Sequence, residues 1–155
     1  MATVDNASIL AGFYDAYNAK DLDRLASCVA ADAQATSMAF GTKVGLMEHL
    51  QAWAHAFPDA QLEVKNLVAQ GDYVSSEIVG RGTHTGTLKE PTGDLPATGR
   101  RLELPLAEVF RFRDGKIVEF RYYFDAFSFF KQLGVGAPEA GAEAGGATTA
   151  PAMRH

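Results

Sequence analysis

The stretch that most constrains the fold of this chain lies between residues 98 and 125, where two apolar runs flank a tight turn at Asp114-Gly115. An Asp-Gly pair between alternating runs strongly indicates a β-hairpin, because both central positions of the turn favour positive φ. Side chains alternate between the two faces of a strand. One face of the first strand is therefore predicted to carry Leu102, Leu104, Leu106, Glu108, Phe110 and Phe112. The matching face of the second strand carries Val118, Phe120, Tyr122 and Phe124.

Glu108 interrupts this otherwise apolar stripe. Burying an unpaired carboxylate is costly, so such a residue points to function or to a compensating partner. Between Leu106, Phe110 and Phe120 its pKa should be raised by desolvation. A carboxyl group of that kind can accept or deliver a proton near neutral pH. The structural interpretation is a glutamate that pairs with an arginine such as Arg81, or that reaches solvent at a bulge.

The rest of the chain divides by the period of its apolar residues. Helical spacing predicts helices at 5–19, 21–29 and 44–57, with a weak strand or irregular segment at 32–40 and a turn at 41–43. Strand spacing predicts strands at 61–70 and 73–87, followed by a Pro- and Gly-rich loop at 88–99. A short helix is predicted at 127–133. Residues 1–134 should form one domain, and residues 135–155, mostly Gly, Ala and Pro, a flexible tail.

Helices that precede an antiparallel sheet predict an α+β fold. We expect a curved antiparallel sheet wrapped on three N-terminal helices, giving a cone with an internal apolar pocket. The predicted pocket wall, which suits a mostly apolar small molecule with a few oxygens, consists of Tyr14, Tyr17, Trp53, Phe57, Leu104, Phe110, Phe120 and Phe124.

Composition argues against several other classes of function. The formal net charge is −5 at pH 7, so nucleic acid is not an expected partner. The sequence has no long apolar run or signal peptide, which predicts a cytoplasmic protein without membrane association. It also has no Cys/His metal spacing and no phosphate-binding glycine loop, so neither a metal nor a cofactor is expected.

Six short motifs occur in order and together resemble one known family. They are Ala16-Tyr17-Asn18, Phe57-Pro58-Asp59, Gly82-Thr83-His84-Thr85-Gly86, Pro96-Ala97-Thr98-Gly99-Arg100, Asp114-Gly115-Lys116-Ile117 and Gln132-Leu133-Gly134. Over residues 8–134 the chain resembles the SnoaL-like polyketide cyclases of the nuclear transport factor 2-like superfamily. The resemblance implies the cone-shaped fold, a homodimer through the outer sheet face, and a cofactor-independent cyclase or isomerase acting on a polyketide-like molecule in secondary metabolism, such as antibiotic biosynthesis.

The same fold hosts several unrelated functions, so alternatives stay open. One is a non-catalytic binder of an apolar metabolite, and another is a structural dimer whose cavity is filled by side chains. A third comes from residues 104–125, which also resemble the limonene epoxide hydrolases. Those enzymes need an Arg-x-Asp pair on an earlier strand, where this chain has Ile78 and Gly80, or Arg81 and Thr83 in a shifted register. Asp125 matches their second aspartate.

The resemblance also suggests roles for individual residues. Cyclases of nogalonic and aklanonic acid methyl esters use an Asp as acid/base on the last strand and a His on the strand before it. These positions fall on Tyr122 and Glu108, so Glu108 becomes the predicted acid/base and Tyr122 the donor to developing negative charge. Tyr122 could instead be a core aromatic with a satisfied hydroxyl.

Two further residues are expected to assist. His84 shares the predicted face of Gly80 and Gly82, where missing side chains leave room for a ligand, although a histidine near a strand end could also be exposed. Asp125 could line the pocket or cap the helix that follows it, because Asp is a favoured N-cap.

Overall fold

The computed structural model describes residues 5–136, so nearly all of the predicted tail lies outside the described residues. Four helices and eight strands follow one another in this order: α1 (Asn6–Asn18), α2 (Leu22–Ser27), β1 (Val29–Ser37), β2 (Thr42–Gly45), α3 (Leu46–Ala56), β3 (Gln61–Gln70), β4 (Tyr73–Thr83), β5 (Leu88–Glu90), β6 (Gly93–Leu95), β7 (Arg101–Arg113), β8 (Lys116–Phe124) and α4 (Ala126–Leu133). The predicted α+β class with a curved sheet is confirmed.

Six strands form the main sheet in the order β2-β1-β8-β7-β4-β3. All neighbours are antiparallel except β1 and β8, which are parallel. The sheet is therefore mixed, whereas an antiparallel sheet was expected. Residues 32–40, expected as a weak strand or irregular segment, hold the end of β1 and the turn that follows it. The sequence of β1 is rich in alanine and lacks a strong alternation. Its strand state comes from pairing with β8, a contact between distant parts of the chain.

The predicted hairpin of β7 and β8 is confirmed. Asp114 and Gly115 have φ values of 52° and 77°, as a tight hairpin turn requires. The register pairs Glu108 with Tyr122 and Phe110 with Phe120 across the two strands. The ladder shifts register between Arg111 and Phe112, and beyond this shift the carboxylate and the phenol lie side by side on the inward face of the sheet.

Local boundaries differ from prediction where short strands form. Residues 42–45, predicted as turn and helix start, form β2 and pair with the end of β1, so α3 begins at Leu46. The predicted loop at 88–99 contains the small hairpin of β5 and β6. Strand β4 ends at Thr83 because the backbone N–H groups of Thr85 and Gly86 both donate to the carbonyl oxygen of Ala56 at the end of α3, each at 3.1 Å.

Helix α1 lies across the inner face of the sheet and is fixed at both ends. The Asp5 carboxylate caps its start by accepting from the Ser8 N–H at 3.2 Å. At its end the Asn18 side chain accepts from the Leu62 N–H at 2.7 Å and donates to the Leu62 carbonyl at 2.9 Å. This pair of bonds joins α1 to the edge strand β3. The apolar face of α1 is thereby held over β3 and β4, where it closes the cone.

Candidate active site

The cone encloses a cavity of about 90 Å³ between α1, α3 and the inner face of the sheet. Eight of the predicted site residues line it: Tyr14, Tyr17, Trp53, Phe57, Leu104, Glu108, Phe120 and Tyr122. The wall also includes the apolar side chains of Phe13, Leu50, Ile78 and Leu102. Leu62 and Gly80 on β3 and β4 line the cavity too and stay half-exposed, which marks the side where it reaches solvent.

Glu108 is buried in this cavity with only 7 % of its surface exposed. Its Oε1 accepts a hydrogen bond from the Tyr14 hydroxyl at 2.6 Å. Burial raises the pKa of the Glu108 carboxyl to about 7, and the bond from Tyr14 acts in the opposite direction. The interpretation as an arginine pair is wrong, because Arg81 pairs with Glu63 and Glu103 on the outer face of the sheet. A carboxyl group with this pKa can exchange protons at neutral pH.

Tyr14 joins Glu108 to a third residue on the neighbouring strand. The Tyr14 hydroxyl lies 2.6 Å from the hydroxyl of Ser76, which is buried. Ser76 is the cross-strand partner of Glu108 in the pairing of β4 and β7. Ser76 was missed by sequence reasoning, although period-two alternation along β4 places it on the same face as Ile78.

Tyr122 lies next to Glu108, with its ring stacked between those of Phe120 and Phe124 at centroid distances of 5.2 and 6.0 Å. Burial raises the pKa of the Tyr122 hydroxyl well above its ordinary value, and the nearby carboxyl groups of Glu90 and Glu108 add to the effect. The hydroxyl therefore keeps its proton at neutral pH and is available as a donor.

His49 also lines the cavity and was missed by sequence reasoning. It lies on the inward face of α3, and its ring centroid is 4.6 Å from that of Tyr122 and 5.5 Å from that of Phe120. Burial lowers the pKa of His49 to about 3, so the imidazole is neutral. Its spacing of four residues from Trp53 is the signal that would have placed it on this wall.

Trp53 is held from outside the cavity by a second carboxylate. Its indole Nε1–H donates to Oε2 of Glu90 at 3.1 Å, and its ring stacks on Phe57 with centroids 5.6 Å apart. Glu90 is on β5, within the segment predicted as a loop. Burial raises the pKa of Glu90, and the bond from Trp53 partly offsets this. The small hairpin thus contacts the cavity wall through one polar bond.

His84 is fully buried but does not line the cavity, so neither predicted placement describes it. Its ring stacks on the outer side of Phe57 at 5.1 Å. Its Nδ1 accepts from the Thr98 backbone N–H at 3.2 Å, which leaves the proton on Nε2, a nitrogen without a partner among residues 5–136. Burial lowers the pKa of His84. In this position His84 attaches the chain around Thr98 to the end of β4.

Three other predicted residues lie away from the cavity. Asp125 is exposed and caps α4, since its carboxylate accepts from the Ser128 N–H at 3.1 Å. Phe110 is fully buried and packs against Phe13 and Tyr14 rather than facing the open space. Phe124 packs against the rings of other core aromatics. Asp125 is therefore a helix cap, and the two phenylalanines are core packing residues.

None of the helices within residues 5–136 combines the length and the apolar character that crossing a bilayer requires. In the same part of the chain, no three His, Cys, Asp or Glu side chains come together as a candidate metal site.

The sequence and the fold of this chain are similar to those of known proteins. No curated protein matches the sequence significantly. Among solved structures, IdmH from Streptomyces antibioticus, described as a proposed polyketide cyclase, is 31 % identical with a TM-score of 0.67, over 84 % of this chain and 99 % of IdmH. AclR from Streptomyces galilaeus, described as a proposed hydroxylase, is 27 % identical with a TM-score of 0.69, over 86 % and 83 % of the two chains.

A third structure shares the fold alone. It is an epoxide hydrolase from M. tuberculosis of the limonene epoxide hydrolase-like type, 18 % identical with a TM-score of 0.64, over 83 % of this chain and 88 % of the other. The sequence profile of the SnoaL-like polyketide cyclases matches residues 8–133. The chain therefore belongs to the SnoaL-like polyketide cyclase family.

Proposed function

We propose that this protein is a cofactor-independent cyclase or isomerase that acts on a polyketide-like, largely apolar molecule by proton transfer. Membership of the family supports a catalytic role of a general kind. The observation that carries the proposal is Glu108, a carboxyl group with a pKa of about 7 in an apolar cavity. Such a group is half-ionised at neutral pH and can act as base and then as acid.

The proposed reaction begins with Glu108 taking a proton from a carbon that lies between two carbonyl groups of the substrate. The electron pair of that C–H bond moves into an enolate, whose oxygen accepts a hydrogen bond from the Tyr122 hydroxyl. For ring closure, the enolate carbon forms a bond to a second carbonyl carbon of the same molecule, and the resulting alkoxide takes the proton back from Glu108. For isomerisation, the proton returns to a different carbon. No oxidant or reductant is consumed.

The geometry of the sheet supports this division of roles. Glu108 and Tyr122 are directly opposed on β7 and β8, and such pairs have Cβ atoms about 5 Å apart. One substrate carbonyl group can therefore contact both side chains. The aromatic wall would hold the chain of the substrate in a folded conformation, which lowers the barrier by bringing the reacting carbons together.

Cavity size limits how the substrate is bound. Ligand pockets commonly measure about 300–1,000 Å³, whereas this cavity measures about 90 Å³. A polycyclic product would therefore extend through the half-exposed side at Leu62 and Gly80, or the wall would move. We propose that the reacting end of the substrate enters as far as Glu108 while the remainder stays near this opening.

Epoxide hydrolysis is less favoured by the positions of the side chains. The places of the required Arg-x-Asp pair are held by Ile78 and Gly80, which line the cavity without a charge. In the shifted register they fall on Arg81, which is paired on the outer face, and Thr83. The second aspartate would be Asp125, which caps α4. Activation of water would then fall to Glu108 alone.

The test is catalysis of proton exchange and ring closure with synthetic aryl-terminated triketides and tetraketides as probes. Exchange of the C–H between carbonyls in deuterated buffer is followed by NMR, and ring closure by mass spectrometry. Glu108→Gln keeps the side-chain volume and should slow both reactions by roughly 10²-fold or more. Glu103→Gln is the matched control, because Glu103 is exposed on the outer face of the same strand.

The outcomes separate the candidate functions. Binding of the probes, seen as a change in Trp53 fluorescence, without acceleration over buffer would favour the non-catalytic binder. Acceleration that survives Glu108→Gln unchanged would make cavity shape the catalyst and the assignment of Glu108 wrong. Water addition to an epoxide probe without triketide turnover would favour the hydrolase.

A role in antibiotic biosynthesis, a homodimeric state and a cytoplasmic location remain proposals that follow from the sequence. The neighbourhood of the gene tests the first: polyketide synthase genes beside it would support a tailoring role, and other genes would favour the binder.

A further inference from the structure

We propose that Ser76 and Tyr14 form a directed hydrogen-bond relay that positions the Glu108 carboxylate and sets the pH at which it exchanges its proton. The three side chains come from β4, α1 and β7. This inference rests on the proposed function only in treating Glu108 as the acid/base. The relay itself is a property of the free protein.

The direction of the relay follows from the number of protons available. A tyrosine hydroxyl has one proton. In the 2.6 Å contact with Glu108 Oε1, an ionised carboxylate can only accept, so the Tyr14 proton lies in that bond. The Tyr14 oxygen must then accept in its 2.6 Å contact with Ser76, and the Ser76 hydroxyl donates. The relay therefore runs from Ser76 through Tyr14 to Glu108, and each bond polarises the next.

Each member is held in place by a separate part of the fold. Ser76 and Glu108 are paired across β4 and β7, so their side chains emerge next to each other on the inward face. Tyr14 is 2 % exposed, and its ring packs edge-on against Phe13 and Phe110. Because helix and sheet fix all three side chains, the carboxylate is held without rotamer freedom in a position that a substrate can use.

The relay matters because Glu108 has little other stabilisation for its charge. Arg81, on the neighbouring strand, is engaged by Glu63 and Glu103 on the other face of the sheet. Arg81 also lines the cavity, and the remaining titratable groups there besides Tyr14 are Tyr17 from α1, His49 from α3 and Tyr122 from β8; these three are neutral near pH 7. The relay is thus the main interaction that favours the ionised form against burial.

The relay also gives the two carboxylate oxygens of Glu108 different roles. Oε1 is occupied by Tyr14. Among the described residues, no hydrogen-bond donor reaches Oε2. We assign Oε1 to positioning and Oε2 to proton transfer with the substrate. Tyr14 is therefore a positioning residue for Glu108, whereas the sequence predicted only that it would form part of the apolar wall.

The experiment is a pH titration of the Glu108 carboxyl carbon by NMR, with glutamate labelled by ¹³C in the full chain and no substrate present. The Glu108 signal is identified by its loss in Glu108→Gln. Tyr14→Phe removes the donor and should raise the midpoint by about one pH unit or more, a tenfold or larger change in the protonation constant. Ser76→Ala should raise the midpoint by less, because the loss of the Ser76 hydroxyl weakens Tyr14 as a donor but leaves its bond to Glu108 in place.

Two further variants separate the relay from general packing. Ser76→Thr restores a hydroxyl and should return the midpoint toward that of the wild type. Tyr17→Phe, which removes a buried hydroxyl from the same helix but no bond to Glu108, should leave the midpoint unchanged. Circular dichroism shows whether each variant is folded. If Tyr14→Phe does not fold, the titration of Ser76→Ala is the test of the relay.

A midpoint unchanged in both Tyr14→Phe and Ser76→Ala would overturn the relay, as would an equal shift in Tyr17→Phe. Either result is independent of whether Glu108→Gln loses activity, so failure of the relay and failure of the proposed reaction are told apart.

Discussion

A carboxylate is most stable in water, yet Glu108 lies in an apolar cavity where burial raises its pKa to about 7. The unfolded chain has the ordinary value of 4.5. The folded state therefore binds this proton more tightly than the unfolded state. The resulting contribution to stability is fully present below pH 4.5 and is lost as the pH rises through 7.

This linkage predicts how Glu108→Gln changes stability. Glutamine is neutral at every pH, so the variant should be more stable than the wild type at pH 8, by up to about 3 kcal/mol. Near pH 4 the difference should disappear. Urea unfolding followed by circular dichroism at both pH values measures it. Glu103→Gln, at an exposed site of the same strand, is the control variant. A difference that is the same at both pH values would show that charge burial is not its cause.

At the scale of elements, the hairpin of β5 and β6 is joined to α3 by the bond between Glu90 and Trp53. Leu88 of the same hairpin is 1 % exposed, which anchors it in the core. The hairpin also has an exposed ion pair between Lys89 and Asp94 at 3.0 Å. A surface pair of this kind contributes little, so the buried contacts hold the hairpin against the cavity wall.

Trp53 is the only tryptophan of the chain, so all of the indole fluorescence comes from this residue. We predict one pH-dependent step in its emission with a midpoint above the ordinary glutamate pKa of 4.5, because burial raises the pKa of Glu90. Glu90→Gln should abolish the step. Glu48→Gln, on the exposed side of the same helix, is the control and should retain it. Persistence of the step in Glu90→Gln would assign it to another group.

At the scale of the whole molecule, the sheet has two different faces. The inner face is covered by α1 and α3. The outer face carries Tyr73 and Tyr123, which are 44 % and 40 % exposed, together with Val109 and an ion-pair network of Arg111, Glu119 and Arg121. Exposed tyrosines and arginines are typical of protein interfaces, and we propose that two copies of this chain pair here.

Light scattering at micromolar concentration tests this pairing. The wild type should have twice the mass of one chain. Tyr123→Glu should give a monomer, because it places two carboxylates in the interface. Phe127→Glu is the control, since Phe127 is 75 % exposed on α4, away from the outer face. A monomeric wild type would contradict the proposal.

Sequence alone could determine the part of the site that depends on local chemistry. The Asp-Gly turn requires positive φ at two positions, and this located the hairpin of β7 and β8. The register shift between Arg111 and Phe112, which brings Glu108 opposite Tyr122, is not specified by the turn. Alternation then placed both side chains inward, because a strand can put its apolar residues on only one face of a half-buried sheet. These two rules involve neighbouring residues and need no knowledge of the rest of the chain.

Only the tertiary structure decided which distant groups meet. The bond from Tyr14 to Glu108 joins residues on α1 and β7, and the pairing of β1 with β8 joins strands at opposite ends of the domain. The same holds for Asp125, whose sequence allowed both a cavity-lining residue and a helix cap until the packing of α4 placed it in solvent. Contacts between separate elements depend on how whole faces of helices and strands pack together, and the local pattern of residues does not determine that packing.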